Sequence, residues 1–353
     1  MSSLPGESAE CAPLEPECVL CGSTTDLSLC SGCRILHYCG SEHQAIHWPA
    51  HKSGCKAIKA FRTSYERIKS DLPNALEKDG FDWHGNNKEL TNIFDTYKGK
   101  FWKIQSTRPY MRARFTLVEQ FLQVKTYPAV GAALGHLEGM LQLCRGDNLG
   151  VRDYMPSLYL RLGRDQDCYD FVKWWQTTGQ SSTYDWGNMD NPYLDVKGAD
   201  AFEEADYFDT HFGVGISNAA AVTLLKIRLL QSLRALDHAT ASAGGKAPPT
   251  ANEEVRKLVT SSIVTGNPEM MASGDHSVQI IKLERQVQGL IQNIAKMNEF
   301  FWPAMLSPRE ALASVPEMYA PGSKAHANLT VQQSYNSWAE TPGAIDMLRE
   351  YLK

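Results

Sequence analysis

Residues 18–55 read CVLCGSTTDLSLCSGCRILHYCGSEHQAIHWPAHKSGC, and the placing of cysteine and histidine along them decides what kind of fold starts here. Four pairs stand out: Cys18-x2-Cys21, Cys30-x2-Cys33, Cys39-x3-His43 and His51-x3-Cys55. A Cys-x2-Cys pair turns two thiolates toward one ion, and an i,i+4 pair on a helix presents two ligands from one face. Eight such groups divide into two Cys3His sites, each closed and tetrahedral. Closed coordination leaves no place for water, which marks the ions as structural and not catalytic. Spacing alone allows the two sites to be sequential or interleaved. A segment of fewer than about 40 residues with few large aliphatic side chains cannot fold by burial alone, so metal binding has to supply the missing free energy.

The order Tyr38-Cys39, His43-Gln44, Trp48, His51 and Cys55, after the two Cys-x2-Cys pairs, resembles the MYND-type zinc finger. The resemblance covers residues 18–55 and implies two zinc ions per chain in interleaved sites. Cys18, Cys21, Cys39 and His43 would hold one, and Cys30, Cys33, His51 and Cys55 the other. Position 43 is His where many members have Cys, which keeps the ligand count. Family members dock short proline-containing peptides beside a small sheet, and the groove residues map to Ser31, Gln44 and Trp48. Trp offers a flat wall to proline rings, while Gln and Ser offer hydrogen bonds to an extended backbone. In the alternative, Trp48 caps the mini-core and Gln44 braces a loop. His37 and His47 also compete as ligands, but the eight-ligand pattern is complete without them and both read as surface histidines. Pro49 is expected to break the helix after Trp48 and put the last two ligands on a second short helix.

Composition sets the surroundings. The chain has 353 residues, a net charge of −5 and 43% hydrophobic residues, as in an ordinary globular protein. No apolar run approaches the length of a membrane helix. Met1 to Glu17 is acidic, contains proline, lacks a basic or apolar signal region, and is expected to be a disordered tail. Seven of the nine cysteines precede residue 56, and a disulfide scaffold would leave one unpaired and the histidines unexplained. Metal binding in a reducing compartment explains both, so an intracellular location is expected, in nucleus or cytoplasm. Cys11 lies outside the pattern and receives no role. The finger's charge, from Arg34, Lys52, Lys56 and Lys59 against Asp26 and Glu42, is too sparse for a nucleic-acid footprint.

Beyond the finger the patterning is helical. Residues 56–90 read as a helical linker and loop, with Ile58, Phe61, Tyr65 and Ile68 at helical spacing and a loop from Pro73 to Asn87. Residues 91–353 read as one all-α domain, with helices expected near 92–97, 109–125, 130–145, 151–162, 166–177, 216–241, 278–301, 323–339 and 342–352. Pro303 and Pro308 are expected to end the helix at 278–301, and a mobile loop is expected near 240–250. The string Asp147-Asn148-x-Gly150-x-Arg152, then Leu160-x-Leu162-Gly163-Arg164, resembles tetratricopeptide-like repeats, which implies antiparallel helix pairs, although no regular repeat runs along the chain. The expected fold class is mostly α, a small two-zinc finger followed by a helical, tetratricopeptide-like domain.

A search for chemistry yields little. Lysine methyltransferases that carry such a finger also carry an Asn-His-x-Cys type cofactor motif and β-rich segments, and neither is present. Gly213-Val214-Gly215 lacks the strand and third glycine of a nucleotide loop. No Gly-x-Ser-x-Gly, P-loop or His-Glu-x-x-His occurs. His136, His211 and Glu138 have no motif around them. Trp174-Trp175, Tyr184-Asp185-Trp186 and Phe300-Phe301-Trp302 read as packing anchors before groove walls, and Asp200–Asp209 as a solvated helix face. The chain is therefore expected not to be an enzyme, but a zinc-binding protein–protein interaction adaptor. Its partners would carry Pro/Leu-containing peptides, with no membrane or nucleic acid, and a role in transcriptional regulation follows by analogy. The alternative is an enzyme of unidentified class with its site in the helical body and the finger as an accessory.

Overall fold

The computed structural model describes residues 13–78, 93–208, 215–244, 255, 258–315 and 318–353. Cys11, His211, Gly213-Val214, Asp209 and most of the segment 240–250 lie outside them. The chain falls into two compact units, one of Leu14–Arg152 with Asp185–Tyr193, the other built on Asp153–Tyr184 and Leu194–Lys353.

The first unit starts with a two-stranded antiparallel sheet, β1 (Ser28–Leu29) and β2 (His37–Tyr38), in the register Ser28↔Tyr38 and Leu29↔His37. A single long helix, α1 (Ser41–Lys78), follows directly. Two expectations fail here, because Pro49 and Pro73 both lie inside α1. Proline removes one N–H and crowds the carbonyl four residues earlier. At Pro49 that carbonyl belongs to Ala45, and both residues are exposed, which leaves the freed acceptor open to solvent. The stretch expected to be linker is thus helical as far as Lys78 and continuous with the finger's own helix.

Along α1 the buried positions His51, Cys55, Ile58, Tyr65, Leu72 and Leu76 are spaced by threes, fours and sevens, so one stripe carries zinc ligands at one end and core residues at the other. Phe61, expected on that face, is 37% exposed. The stripe packs on α2 (Arg108–Leu122), which packs on α3 (Tyr127–Leu143). Pro109 and Pro128 open these two helices, where a missing N–H costs nothing. Tyr110, Met111, Leu117, Val118 and Phe121 of α2 are buried in this packing, and the hydroxyls of Tyr65 and Tyr110 hydrogen-bond at 3.2 Å.

The second unit is arranged around α6 (Ile216–Ser242), reached after α4 (Met155–Arg161) and α5 (Asp165–Gln176). From Ile216 to Leu230 every residue of α6 is buried, the signature of a helix surrounded by others. Around it pack α4, α5, α7 (Ser277–Met297), α9 (Lys324–Ala339) and α10 (Ala344–Tyr351), while α8 (Phe301–Leu306) packs on α9. Helix α7 stops at Met297, where Asn298 Oδ1 accepts from the Phe300 N–H at 3.0 Å, and Pro303 sits inside α8 instead of ending α7. Trp174, Trp175, Phe301 and Trp302 are buried anchors, and Trp302 donates to the Ile291 carbonyl at 2.9 Å. Two charge pairs are buried with them. Arg161 makes a bidentate bond to Glu340 at 2.7 Å, and Arg228 meets Asp165 at 3.2 Å while donating to the Leu160 and Thr260 carbonyls.

The acidic stretch that begins at Asp200 is not the expected helix face but an irregular segment ending in a 3-10 turn at Asp206–Phe208. Its Ala201 and Glu203 carbonyls accept from the buried Lys226 ammonium at 2.7 and 2.6 Å.

Candidate metal centre

Each Cys-x2-Cys pair forms the same tight turn. In the first, the Gly22 N–H bonds back to the Cys18 carbonyl at 2.8 Å, with Gly22 at φ +70°. In the second, the Arg34 N–H bonds to the Cys30 carbonyl at 2.9 Å, with Arg34 at φ +58°. The left-handed residue after the second cysteine lets both thiols face one side, and at Arg34 it is held against a side-chain penalty of about 1 kcal/mol. Arg62 of α1 holds the second turn in place, donating to the Gly32 and Cys33 carbonyls at 3.3 and 2.6 Å.

The thiols and imidazoles gather into two groups, Cys18, Cys21, Cys39, His43 and Cys30, Cys33, His51, Cys55, within each of which the ligand atoms lie within 4.8 Å of one another. The sites are interleaved, as the resemblance implied. Each turn reaches past its sequence neighbour to α1, which supplies His43 to the first cluster and His51 and Cys55 to the second. Eight residues of helix separate His43 from His51, or about 12 Å at 1.5 Å per residue, so the two ions are distinct sites on one rod.

The spacings fit zinc. A tetrahedron with Zn–S bonds of about 2.3 Å and Zn–N of about 2.0–2.1 Å has S···S edges of about 3.8 Å and S···N edges of about 3.5 Å. Cys21–Cys39 and Cys30–Cys55 stand 3.7 and 3.8 Å apart. Cys18 Sγ lies 3.6 Å from His43 Nδ1, and Cys33 Sγ lies 3.3 Å from His51 Nε2. Three soft thiolates and one imidazole form the donor set for Zn²⁺. The two clusters therefore fit two zinc ions, one each.

They differ in setting. All four ligands of the second cluster are buried, whereas Cys21 is exposed and Cys39 and His43 are half-buried in the first. Burial, and beyond it the charge of Cys30 and Cys55, pushes the Cys33 thiol up to about 12 against a backbone N–H at Ile35. Zinc binding displaces that thiol's proton, which ties occupation of the site to pH.

Neither His37 nor His47 belongs to a cluster. His47 is not a plain surface residue, since its Nδ1 shares a 2.8 Å hydrogen bond with the Tyr38 hydroxyl and its ring stacks on His51 at 5.7 Å. The three residues mapped to a peptide groove come together: Ser31, Gln44 and Trp48 line an open groove of about 460 Å³ with Gly32, Ser41, Ala45 and the two thiolate-bearing residues Cys30 and Cys55. Trp48 remains 38% exposed, and Gln44 Nε2 donates to Cys30 Sγ at 3.6 Å. Sequence reasoning missed Gly32, whose role is steric. A Cβ there would lie 2.6 Å from Cys55 Sγ.

Of the acid–base candidates, His136 is half-buried against the rings of Tyr65 and Phe121. Burial, with Arg114, Arg62 and Lys69 nearby, lowers it to about 4, and Arg114 Nε donates to its Nδ1 at 3.3 Å. In the second unit Tyr169 and Lys173 both bond to the Glu203 carboxylate, at 2.8 and 2.6 Å. Burial lowers Lys226 beside them to about 8.

Comparison with known proteins bears on the finger. The family model for the MYND finger matches residues 18–55. The Rho GTPase-activating protein gacZ of Dictyostelium discoideum is 39% identical over 69 residues, covering 19% of this chain and 6% of its own length. The histone-lysine N-methyltransferase ASHR1 of Arabidopsis thaliana is 41% identical over 44 residues, 12% of this chain and 9% of its own. The matches thus span less than a tenth of either relative. No solved structure matches. The second relative overturns the expectation that the chain is not an enzyme: a finger of this kind occurs in a protein named as a methyltransferase, and similarity confined to the finger decides nothing about catalysis elsewhere. Among the described residues no helix is long and apolar enough to cross a membrane. With eight ligands in two zinc-sized clusters and a family match over the same span, residues 18–55 are a MYND finger, a zinc-binding module of the protein-interaction class.

Proposed function

We propose that the protein uses the groove of its finger to hold a proline- and leucine-containing peptide of a partner protein, as an interaction module whose shape is set by two zinc ions. The observation that carries this reading is the convergence of Ser31, Gln44 and Trp48 on one open groove. Its volume falls within the usual range of ligand sites, about 300–1,000 Å³. An extended segment without internal hydrogen bonds suits such a site: the Trp48 ring takes proline rings, and the amide and hydroxyl take backbone groups. A thiolate-rich module needs a reducing compartment, so the reading includes an intracellular location, nuclear or cytoplasmic. Participation in transcriptional regulation is the corresponding process.

The test is peptide-display selection on the zinc-loaded full chain, followed by titration of the selected peptides. Pro/Leu-containing sequences are expected to be enriched. Trp48→Ala is expected to weaken their binding at least tenfold while both zincs are retained. Enrichment of unrelated sequences, or equal binding by Trp48→Ala, defeats the proposal.

A further inference from the structure

The groove and the second zinc cluster share a side chain. Gln44 follows the first cluster's His43 in the opening turn of α1, yet its amide nitrogen reaches the second cluster, 3.6 Å from Cys30 Sγ. Cys30 and Cys55, 3.8 Å apart, also line the groove, so one edge of the second tetrahedron forms part of its wall. A Cys3His site with Zn²⁺ carries a net negative charge spread over three sulfurs. An N–H aimed at one of them withdraws some of that charge and fixes the direction of its lone pairs.

We propose that Gln44 is a positioning residue for the second zinc, its amide N–H holding the Cys30 thiolate in the geometry that retains the ion. This inference rests on the zinc assignment and not on peptide binding, so it stands or falls separately from the peptide reading. The local geometry gives it direction. Gln44 is half-buried, and its backbone is tied into the first turn by the bond from its N–H to the Gly40 carbonyl at 3.3 Å. Its side chain is therefore presented to the sulfur by a helix already anchored through His43 and Cys39. In the first cluster the side-chain bonds to sulfur come from within the cluster, from His43 and between the thiols of Cys21 and Cys39, while backbone N–H groups of Leu20, Cys21 and Cys39 serve Cys18.

The experiment follows zinc transfer from the full chain to a chromogenic chelator, 4-(2-pyridylazo)resorcinol. The phase belonging to the second ion is the one absent in Cys33→Ser. Gln44→Ala is expected to speed that phase about tenfold, the lower end of what outer-shell partners contribute to metal retention, and to leave the other phase unchanged. Gln44→Glu, which sets a carboxylate against the thiolate, is expected to speed it further. Gln44→Lys restores a donor and is expected to return the rate toward that of the unmodified protein. Ile46→Ala, at an exposed position of the same helix outside the groove, is expected to release both zincs at the rate of the unmodified protein. A second readout uses Co²⁺ in place of zinc, where loss of the N–H moves the thiolate-to-cobalt charge-transfer band to lower energy in Gln44→Ala and not in Ile46→Ala. Equal release rates and unshifted bands in Gln44→Ala overturn the proposal, as does an effect on both zincs alike. Should Gln44→Ala not fold, Gln44→Lys and Gln44→Glu decide it, since a donor and an acceptor must then act in opposite directions.

Discussion

In the finger the buried side chains are largely ligands, with Cys18, Cys30, Cys33, His51 and Cys55 joined by Ile35, Leu36 and Tyr38. In the unit around α6 they are apolar through the depth of a helix, and the charged exceptions are paired or bonded to carbonyls. The first region has too little apolar bulk to fold alone and is held by two ions. The second, among its described residues, gathers no metal-ligand cluster and is held by burial, with Arg161–Glu340, Asp165–Arg228 and Lys226 as polar struts. The two should therefore answer differently to the same insult. Chelators and acid should act on the finger, while loss of a single buried partner should act on the helical unit.

The largest expected effect comes from removing metal. A structural zinc contributes about 10–16 kcal/mol of apparent binding free energy at neutral pH, which is folding free energy in a module of this size. Chelation of both ions is expected to unfold residues 18–55 and to leave the α6 unit's slowest amide protons protected, as hydrogen exchange with mass spectrometry will show. Loss of protection in both regions at once would break the contrast.

Next comes Arg161→Met. Both partners of the Arg161–Glu340 pair are buried, and removing one leaves a desolvated charge, at a cost of about 3–5 kcal/mol. Pairing it with Glu340→Leu is expected to recover most of that loss. A urea midpoint for the double variant as low as that of the single one would show that the pair does more than neutralise itself.

The third effect is a pH response. His136 titrates near 4 when folded against about 6.5 when unfolded, so its contribution is complete above pH 6.5 and is lost as pH falls toward 4. By pH 4.5 the loss is about 2–3 kcal/mol. His136→Gln, which cannot take up a proton, should remove that part of the acid sensitivity. The check is the difference between the two proteins in exchange of α2 and α3 amides at pH 7 and 4.5, with metal content matched. An unchanged difference would place the acid sensitivity elsewhere.

How much of this was legible beforehand varies with the range of the interaction. Ligand identity was legible because a metal site needs particular atoms at particular short spacings, and Cys18 to Cys55 display them in the chain itself. The helical class was legible from periodicity, down to the bounds of α5, α6 and α9 within a residue or two. The path through Pro49 was not, since the residue's own preference argues for a break. That preference is overruled where the helix carries ligands on either side, His43 for one cluster and His51 for the other, and where the carbonyl that loses its donor is on an exposed residue. The acidic stretch near Asp200 was misread for a similar reason, its carbonyls being taken by a lysine 25 residues away from Ala201 in sequence. Catalytic competence was not legible either, since neither a missing motif nor a finger shared with a methyltransferase bears on chemistry in the helical body.

The sequence by itself determined the ligands, the metal and the predominance of helix, because each rests on side-chain chemistry or on periodicity within a few turns of chain. Only the tertiary structure decided that α1 runs unbroken through both zinc sites into the core, that Gln44 touches a zinc thiolate, that Lys226 is buried and that His136 is half-buried beside Arg114. These outcomes depend on which distant atoms exclude water from a group or offer it a partner. Desolvation and hydrogen bonding are properties of the packed neighbourhood, and the chain order does not record them.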